Sequence, residues 1–475
     1  MLINGEWTEA RSGSSFEVLN PATGESIGSV ADGGAEDALI AIAAAHDAFK
    51  TWSKTTAYER SAVLYRAWEI MVSRSDELAQ LMTVEQGKPL KAAKAEVKYA
   101  SDFLLWFAEE AKRVVGEWLP SQRPDQRFLS VKVPVGVVAA ITPWNYPISM
   151  LTRKIGPALA AGCTVVLKPA EATPLCAKAT LDVLTDAGLP NGVINMVTTS
   201  NPAPVGDIFT SDPRVAKLTF TGSTAVGRVL AAKAASNLQR VSVELGGHAP
   251  FIVFPDADPV HAAKGAAALK FLNAGQACIS PNRLYVPSSL ADLFQETLCS
   301  RVDRLQTGNG LHDGVGVGPL INEAAVAKVE TQVEDARSKG AGIPVGGMRL
   351  VDAEHRNGHF YAPTVLTDIK PEMNIYREET FGPVAPVITY EDPEQVIEMA
   401  NDTNYGLAAY VYTKEIGVAM RAFEGLRFGI IGINDVNPTS ASVPFGGMGD
   451  SGIGREGGHE GIAEYLETKT GGFAI

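Results

Sequence analysis

The segments VKVPVGVVAAITPW (131–144), TVVLKP (164–169), GVINMVT (192–198), VAKLTFTG (215–222) and QRVSVELGG (239–247) decide the fold. Helical stretches separate them, around Met150 to Ala161, in PLCAKATLDVLTDAG (174–188) and in AVGRVLAAKAASN (225–237). Short apolar strands alternating with helices predict a parallel sheet covered on both faces. After Gly247 the pattern starts again with PFIVF (250–254), RLYVP (283–287) and APVITY (385–390). A second α/β domain is expected there, with the boundary near Gly246-Gly247. Upstream, the opening through Asn20-Pro21-Ala22-Thr23-Gly24 reads as short strands and turns. From Ala35 to Val115 apolar residues recur three and four apart, as in AYERSAVLYRAWEIMVSRSDELAQLMTVEQ (57–86), which predicts long amphipathic helices. The Pro-rich, polar stretch from Gly116 to Gln126 reads as a break between layers.

A chain of 475 residues is too long for one simple core, so two or three domains are expected. Its 45% hydrophobic and 20% charged residues exclude a disordered chain. A formal charge of −13 repels phosphate backbones and argues against a nucleic-acid partner. The start, MLINGEWTEA, has no basic stretch followed by an apolar one, and the best apolar run, Val133 to Ile141, is too short to span a bilayer. The expectation is a cytoplasmic protein with no membrane partner. The four cysteines, Cys163, Cys176, Cys278 and Cys299, show no CxxC pair and no metal-like spacing, so no metal site is expected. In a reducing compartment each is structural or reactive.

Two Gly-rich segments compete for a dinucleotide. Gly452-Ile453-Gly454-Arg455-Glu456-Gly457 matches GxGxxG, but no strand leads into it and no βαβ unit follows, so it reads as a turn. Phe220-Thr221-Gly222-Ser223-Thr224-Ala225-Val226-Gly227 follows a strand and opens a helix, whose free N–H groups suit a pyrophosphate. Ser223 and Thr224 equally suit helix caps, and geometry alone leaves both readings open. Glu244, about 20 residues on at a strand end, stands where a ribose-binding acid sits in ordinary nucleotide folds. Cys278 ends the polar break Asn273-Ala274-Gly275-Gln276-Ala277-Cys278 between a helix and RLYVP. A thiolate at such a turn can reach a carbonyl, whereas Cys163 and Cys176 adjoin apolar or Ala-rich stretches and Cys299 sits late in a helix.

Taken together, TPWN, VELGG, NAGQAC, EETFGP, PFGG and SGIGREG, in this order and spacing, resemble the aldehyde dehydrogenase superfamily over essentially the whole chain. AITPWN, LTRKIGPALAAGC, FTGST, SVELGG and NRLYV most resemble the bacterial succinate-semialdehyde dehydrogenases. The resemblance implies an α/β fold of two open parallel-sheet domains plus a small bridging β element. Residues 1–116 and 135–245 would bind the cofactor, 246–452 would form the catalytic domain, and 117–134 with 453–475 would bridge subunits of a homodimer or homotetramer. It implies Cys278 as nucleophile, Asn145 as oxyanion donor together with the Cys278 N–H, and Glu244 as general base, which replaces the ribose reading. NAD is the implied cofactor, with NADP possible. Lys168 and Glu171 would hold the adenosine ribose, and Gly222, Ser223 and Gly227 would border the pyrophosphate. Glu379 and Phe381 would hold the nicotinamide ribose and ring, and Ile141, Thr142, Trp144, Gly206 and Leu245 would complete the cofactor site.

The implied reaction oxidises an aldehyde, such as succinate semialdehyde, to the carboxylate through a thioester; the alternative is a broad-specificity aliphatic or aromatic aldehyde dehydrogenase. Arg153, Leu272 and Phe445 would meet the substrate. The group usually holds a substrate carboxylate with two arginines. Arg153 matches the first, and Leu272 stands in place of the second. Ser280 replaces a second cysteine found in some members, and His248 replaces a more usual Asn or Lys.

Overall fold

The computed structural model describes all 475 residues. Five parallel strands form the middle of the first sheet, in the order Ile194–Met196, Thr164–Lys168, Val137–Ile141, Val215–Thr221, Arg240–Glu244. Every residue of Val137–Ile141 and Thr164–Lys168 is buried, which is why these strands read as unbroken apolar runs. Their side chains still alternate. Val138, Ala140, Val165 and Leu167 pack with the helices Ala57–Ser73, Leu90–Glu110, Ser149–Ala161 and Pro174–Asp186. Val137, Ala139, Ile141 and Val166 pack with Ala35–Trp52, Pro202–Ser211 and Thr224–Ser236 on the other face.

From Val137–Ile141 the chain winds outward through two strands. It then crosses back to lay Val215–Thr221 on the opposite side of its starting strand. That reversal opens a crevice at the carboxyl ends of Val137–Ile141 and Val215–Thr221, where open α/β sheets bind ligands.

The second sheet has the order Gly342–Val345, Thr364–Thr367, Val384–Tyr390, Pro281–Pro287, Ala249–Val253, Ala408–Tyr412, Ile430–Ile433. All neighbours run parallel except the first pair. The link Leu245 to His248 passes directly from the last parallel strand of the first sheet into the second, so Glu244 stands at the junction of the layers.

A third, antiparallel sheet joins Leu466–Ala474 to Gln126–Pro134, with Glu117–Leu119 on the far side. Between these regions, Gly452–Ile453 pairs antiparallel with Val243 and Glu244 as an edge of the first sheet. The stretch 453–475 is therefore divided: its first residue belongs to the first sheet, and only Leu466–Ala474 joins the third. The GxGxxG match lies in this return. Gly452, Gly454 and Gly457 all have positive φ, and the segment forms a short edge strand and turns rather than a βαβ crossover.

Candidate active site

Cys278 follows a backbone arrangement that local propensity does not favour. Asn273, Ala274 and Gly275 have φ of 51°, 55° and 74°, three consecutive left-handed residues. For the two that are not glycine this costs about 1–2 kcal/mol each. At Gly275 a side chain is also excluded, since a Cβ would lie 2.0 Å from the Gly382 carbonyl oxygen. Such a turn persists only where its surroundings over-determine it. Here Asn273 Nδ2 donates to the Asn145 carbonyl at 2.9 Å, and Gln276 Nε2 donates to the carbonyls of Asn273 and Pro319 at 3.1 and 3.3 Å. Gln276 Oε1 accepts from Ile321 N at 3.0 Å. Asn145 Nδ2 donates to the Gln276 carbonyl at 3.0 Å, which binds the TPWN turn to the Cys278 loop.

Cys278 opens into a cavity of about 330 Å³ that is also lined by Tyr99, Tyr146, Arg153, Leu272 and Phe445. Burial pushes its thiol up to about 12, and the carboxylates of Glu379 and Glu244 add to the rise while Arg153 opposes it. The resting thiol is therefore protonated at neutral pH. Cys163 and Cys176 are fully buried, and Cys299 is partly buried in the helix Ser288–Val302.

Glu244 does not line this cavity. Its carboxylate is buried with neither oxygen hydrogen-bonded, and it occupies space that exists because residue 446 is glycine: a Cβ there would lie 2.8 Å from Glu244 Oε1. Burial, then the nearby Glu456 charge, holds its pKa well above the usual carboxylate range, partly offset by Arg153 and Lys154. A carboxylate held proton-avid in this way suits general-base work near neutrality.

Arg153, expected to meet the substrate, also meets a protein carboxylate and an aromatic ring. Its guanidinium stacks 3.8 Å from the Phe445 ring centroid and its Nη2 lies 3.0 Å from Glu456 Oε2. Lys154 Nζ donates to the other Glu456 oxygen at 2.5 Å. One carboxylate thus faces two buried cations, and Arg153 Nε and Nη2 make no hydrogen bond of good geometry. Leu272 is 44% exposed at the cavity wall. Glu456 and Lys154 escaped the sequence reading although both lie in quoted segments, SGIGREG and LTRK. Nothing local marks them as partners.

The expected cofactor residues gather mostly at the carboxyl edge of the first sheet. Ile141 and Lys168 end their strands, Thr142 follows Ile141, Leu245 follows the strand Arg240–Glu244, and Gly222 and Ser223 follow Val215–Thr221. Ser223 caps the helix Thr224–Ser236, its Oγ accepting from Val226 N at 3.4 Å. Lys168 is buried and pairs at 3.3 Å with Glu171, whose side chain is half exposed. Gly227 serves a packing need, because a Cβ would lie 2.2 Å from Leu245 Cδ2. Gly206 stands apart, inside the helix Pro202–Ser211 and against Leu230. Across the crevice Glu379 Oε1 accepts from Gly247 N at 2.8 Å, and Phe381, at φ 54°, meets Trp144 edge-on with centroids 5.6 Å apart. The crevice fits a dinucleotide: a capped helix N-terminus, Thr221 Oγ1 buried without a partner, and carboxylates at either end.

His248 is buried and kept neutral by burial. Its Nε2–H donates to the Tyr376 carbonyl at 2.8 Å and its Nδ1 is unpartnered. The Arg283 guanidinium donates to the His248 carbonyl at 2.9 Å, so the residue sits inside the packing of the second sheet.

The family model for the Aldehyde dehydrogenase family matches residues 7–471. The chain is 50% identical over 468 residues to the NADP-dependent succinate-semialdehyde dehydrogenase of Escherichia coli, covering 98% of this chain and 96% of that one. It is 49% identical over 467 residues to a glutarate-semialdehyde dehydrogenase of Pseudomonas putida, with coverage of 98% and 96%. A solved succinate-semialdehyde dehydrogenase from Burkholderia pseudomallei superposes with a TM-score of 0.97 at 48% identity, covering 100% of this chain and 97% of that one. The chain belongs to the aldehyde dehydrogenase family, and it catalyses the NAD(P)-dependent oxidation of an aldehyde to the carboxylate.

Proposed function

We propose that the chain oxidises a semialdehyde, an aldehyde with a distal carboxylate, with Cys278 as nucleophile and Glu244 as the base for hydrolysis. The observation that carries the substrate reading is the Arg153 guanidinium, buried in the same cavity as Cys278. The semialdehyde names of the relatives above support it. Succinate semialdehyde is the first substrate to try.

The chemistry follows from the residues. The Cys278 thiol gives up its proton to water as its sulfur adds to the aldehyde carbonyl, and the Asn145 amide with the Cys278 N–H takes up the oxyanion charge, an effect worth about 3 kcal/mol per donor. The nicotinamide of the bound dinucleotide supplies the hydride acceptor as the thioester forms. Glu244 then takes a proton from water, which attacks the thioester and frees Cys278. Lys168 and Glu171 would hold the adenosine ribose, the helix at Ser223 the pyrophosphate, and Glu379 and Phe381 the nicotinamide end. Residues 1–116 and 135–245 are read as the cofactor domain, 246–452 as the catalytic domain, and the third sheet as the element through which subunits pair.

A second reading rests on Leu272 and Glu456. An apolar wall and a compensated Arg153 favour an aldehyde with a longer, more apolar body. Arg153→Leu separates the two. Under the first reading kcat/KM for succinate semialdehyde falls by about 10- to 100-fold, the scale of a lost charged hydrogen bond, while hexanal is little affected. Leu272→Arg lowers KM for succinate semialdehyde. Unchanged succinate semialdehyde oxidation in Arg153→Leu leaves the general aldehyde reading standing.

A further inference from the structure

Lys88 and Glu96 form an ion pair inside the wall of the Cys278 cavity, with both side chains 1% exposed. Two opposite charges out of water hold together strongly, and they persist only if their remaining hydrogen-bonding capacity is used. Here it is used on one target. Lys88 Nζ also donates to the Asn145 carbonyl at 2.8 Å and lies 3.9 Å from the centroid of the Tyr146 ring. Glu96 Oε1 accepts from the backbone N–H groups of Ile148 and Ser149, both at 3.2 Å, and from Ser149 Oγ at 3.3 Å. Ile148 is the N-cap of the helix Ser149–Ala161 and Ser149 its first residue, and this helix end has no side-chain cap of its own. The pair therefore grips both ends of the turn Asn145 to Ser149: Lys88 holds its first carbonyl, and Glu96 holds its last N–H groups. The Asn145 carbonyl receives a second donor, Asn273 Nδ2, from the nucleophile loop.

We propose that the buried Lys88–Glu96 pair is a positioning device for the oxyanion donor: it fixes the Asn145 backbone so that the side-chain amide stays aligned with the nucleophile loop. Neither residue touches the reacting atoms through this role. They act through Asn145, and the proposal rests on the assignment of Asn145 as oxyanion donor. A lone charged pair in a core is commonly dispensable, and its replacement by apolar side chains is often neutral for stability. This pair is distinguished by spending its free donor and acceptor positions on one catalytic turn.

A double-mutant cycle on acylation tests it. The reporter is release of p-nitrophenolate from p-nitrophenyl acetate in single turnover, which needs an oxyanion site but no dinucleotide. Lys88→Met slows acylation by about tenfold or more, part of the roughly 100- to 1000-fold commonly lost when an oxyanion donor is removed outright. KM for NAD stays within about twofold, since the cofactor edge is untouched. In an Asn145→Ala background Lys88→Met costs less than about twofold more, because residues acting through one group are not additive. Glu96→Gln is the isosteric second variant and runs through the same cycle if Lys88→Met does not fold. Equal fold-losses in both backgrounds overturn the proposal. A wild-type acylation rate in Asn145→Ala alone overturns the oxyanion assignment beneath it, so the two failures are told apart.

Discussion

At the scale of single residues, the site is a balance of buried charges. Cys278 at about 12 is kept protonated mainly by burial, with Glu379 and Glu244 raising it and Arg153 lowering it. Removing Arg153 should therefore slow alkylation of Cys278 by iodoacetamide at a fixed pH. Removing the Glu244 charge should speed it at alkaline pH, where that carboxyl is ionised. Intact mass with one alkylating equivalent reads both; the opposite ordering shows that these groups do not face the thiol. Turnover adds a second test. Cys278→Ala should give no NADH, and Glu244→Gln should accumulate an acyl adduct on Cys278 after aldehyde and NAD are added. Full steady-state activity in either variant would remove that residue from the mechanism. The Lys168–Glu171 pair sets a third expectation. A carboxylate accepts from both ribose hydroxyls and repels a 2′-phosphate, so NAD should be preferred. Glu171→Ser should shift the ratio of kcat/KM toward NADP by about tenfold or more, the scale of one charged contact. An unchanged ratio would mean that Glu171 points away from the ribose.

At the scale of elements, helix ends are capped from a distance. The helix Pro174–Asp186 has no side-chain cap at Thr173. Glu85, from the helix Ser75–Gln86, supplies it, accepting from Leu175 N at 2.6 Å and Cys176 N at 2.7 Å. Burial raises the Glu85 carboxyl from 4.5 to about 7 despite those two N–H groups. The folded state then binds a proton that the unfolded state has released between those values. Stability linked to Glu85 is fully present below pH 4.5 and lost as pH rises through about 7. Glu85→Gln cannot titrate, so its Tm relative to the parent should climb between pH 5 and 8. A difference that stays constant with pH would show that Glu85 keeps its ordinary pKa when folded. Much of the element scale was legible beforehand. The strand segments and the helices were read from unbroken apolar runs and from 3.6-residue spacing, because both patterns are imposed by the neighbours every such element must have. The left-handed run at Asn273 and Ala274 was not, because neither residue type demands it and only the partners of Asn273 and Gln276 hold it.

At the scale of the whole molecule, the three-stranded sheet projects its apolar side chains outward. Trp118 is 69% exposed and Phe473 53%, Ile475 just past the last strand is 74% exposed, and the outer edges of Glu117–Leu119 and Leu466–Ala474 carry no strand. Unpaired edges with exposed aromatic residues invite pairing. Light scattering should give two or four times the chain mass of 50.3 kDa, and deletion of residues 466–475 should shift it toward one. A monomeric full-length chain would refute subunit pairing through this sheet.

The sequence by itself determined the two parallel-sheet layers, the place of the Cys278 loop and the strand end that carries Glu244. Each of these is written in a local run, an apolar strand pattern or a polar Gly-containing break, although the role of Glu244 and the backbone of the Cys278 loop are not. Only the tertiary structure decided which charges meet. Lys154 and Glu456 are 302 residues apart and Lys88 and Asn145 are 57 apart, yet these pairs surround the site. Arg153 is marked in the sequence only by its match to LTRK, and no acidic residue stands near it in the chain; the fold brings Glu456 to within 3.0 Å of it. The physical reason is that the energy of a buried charge depends on distance and desolvation, and neither is fixed until the layers close over it.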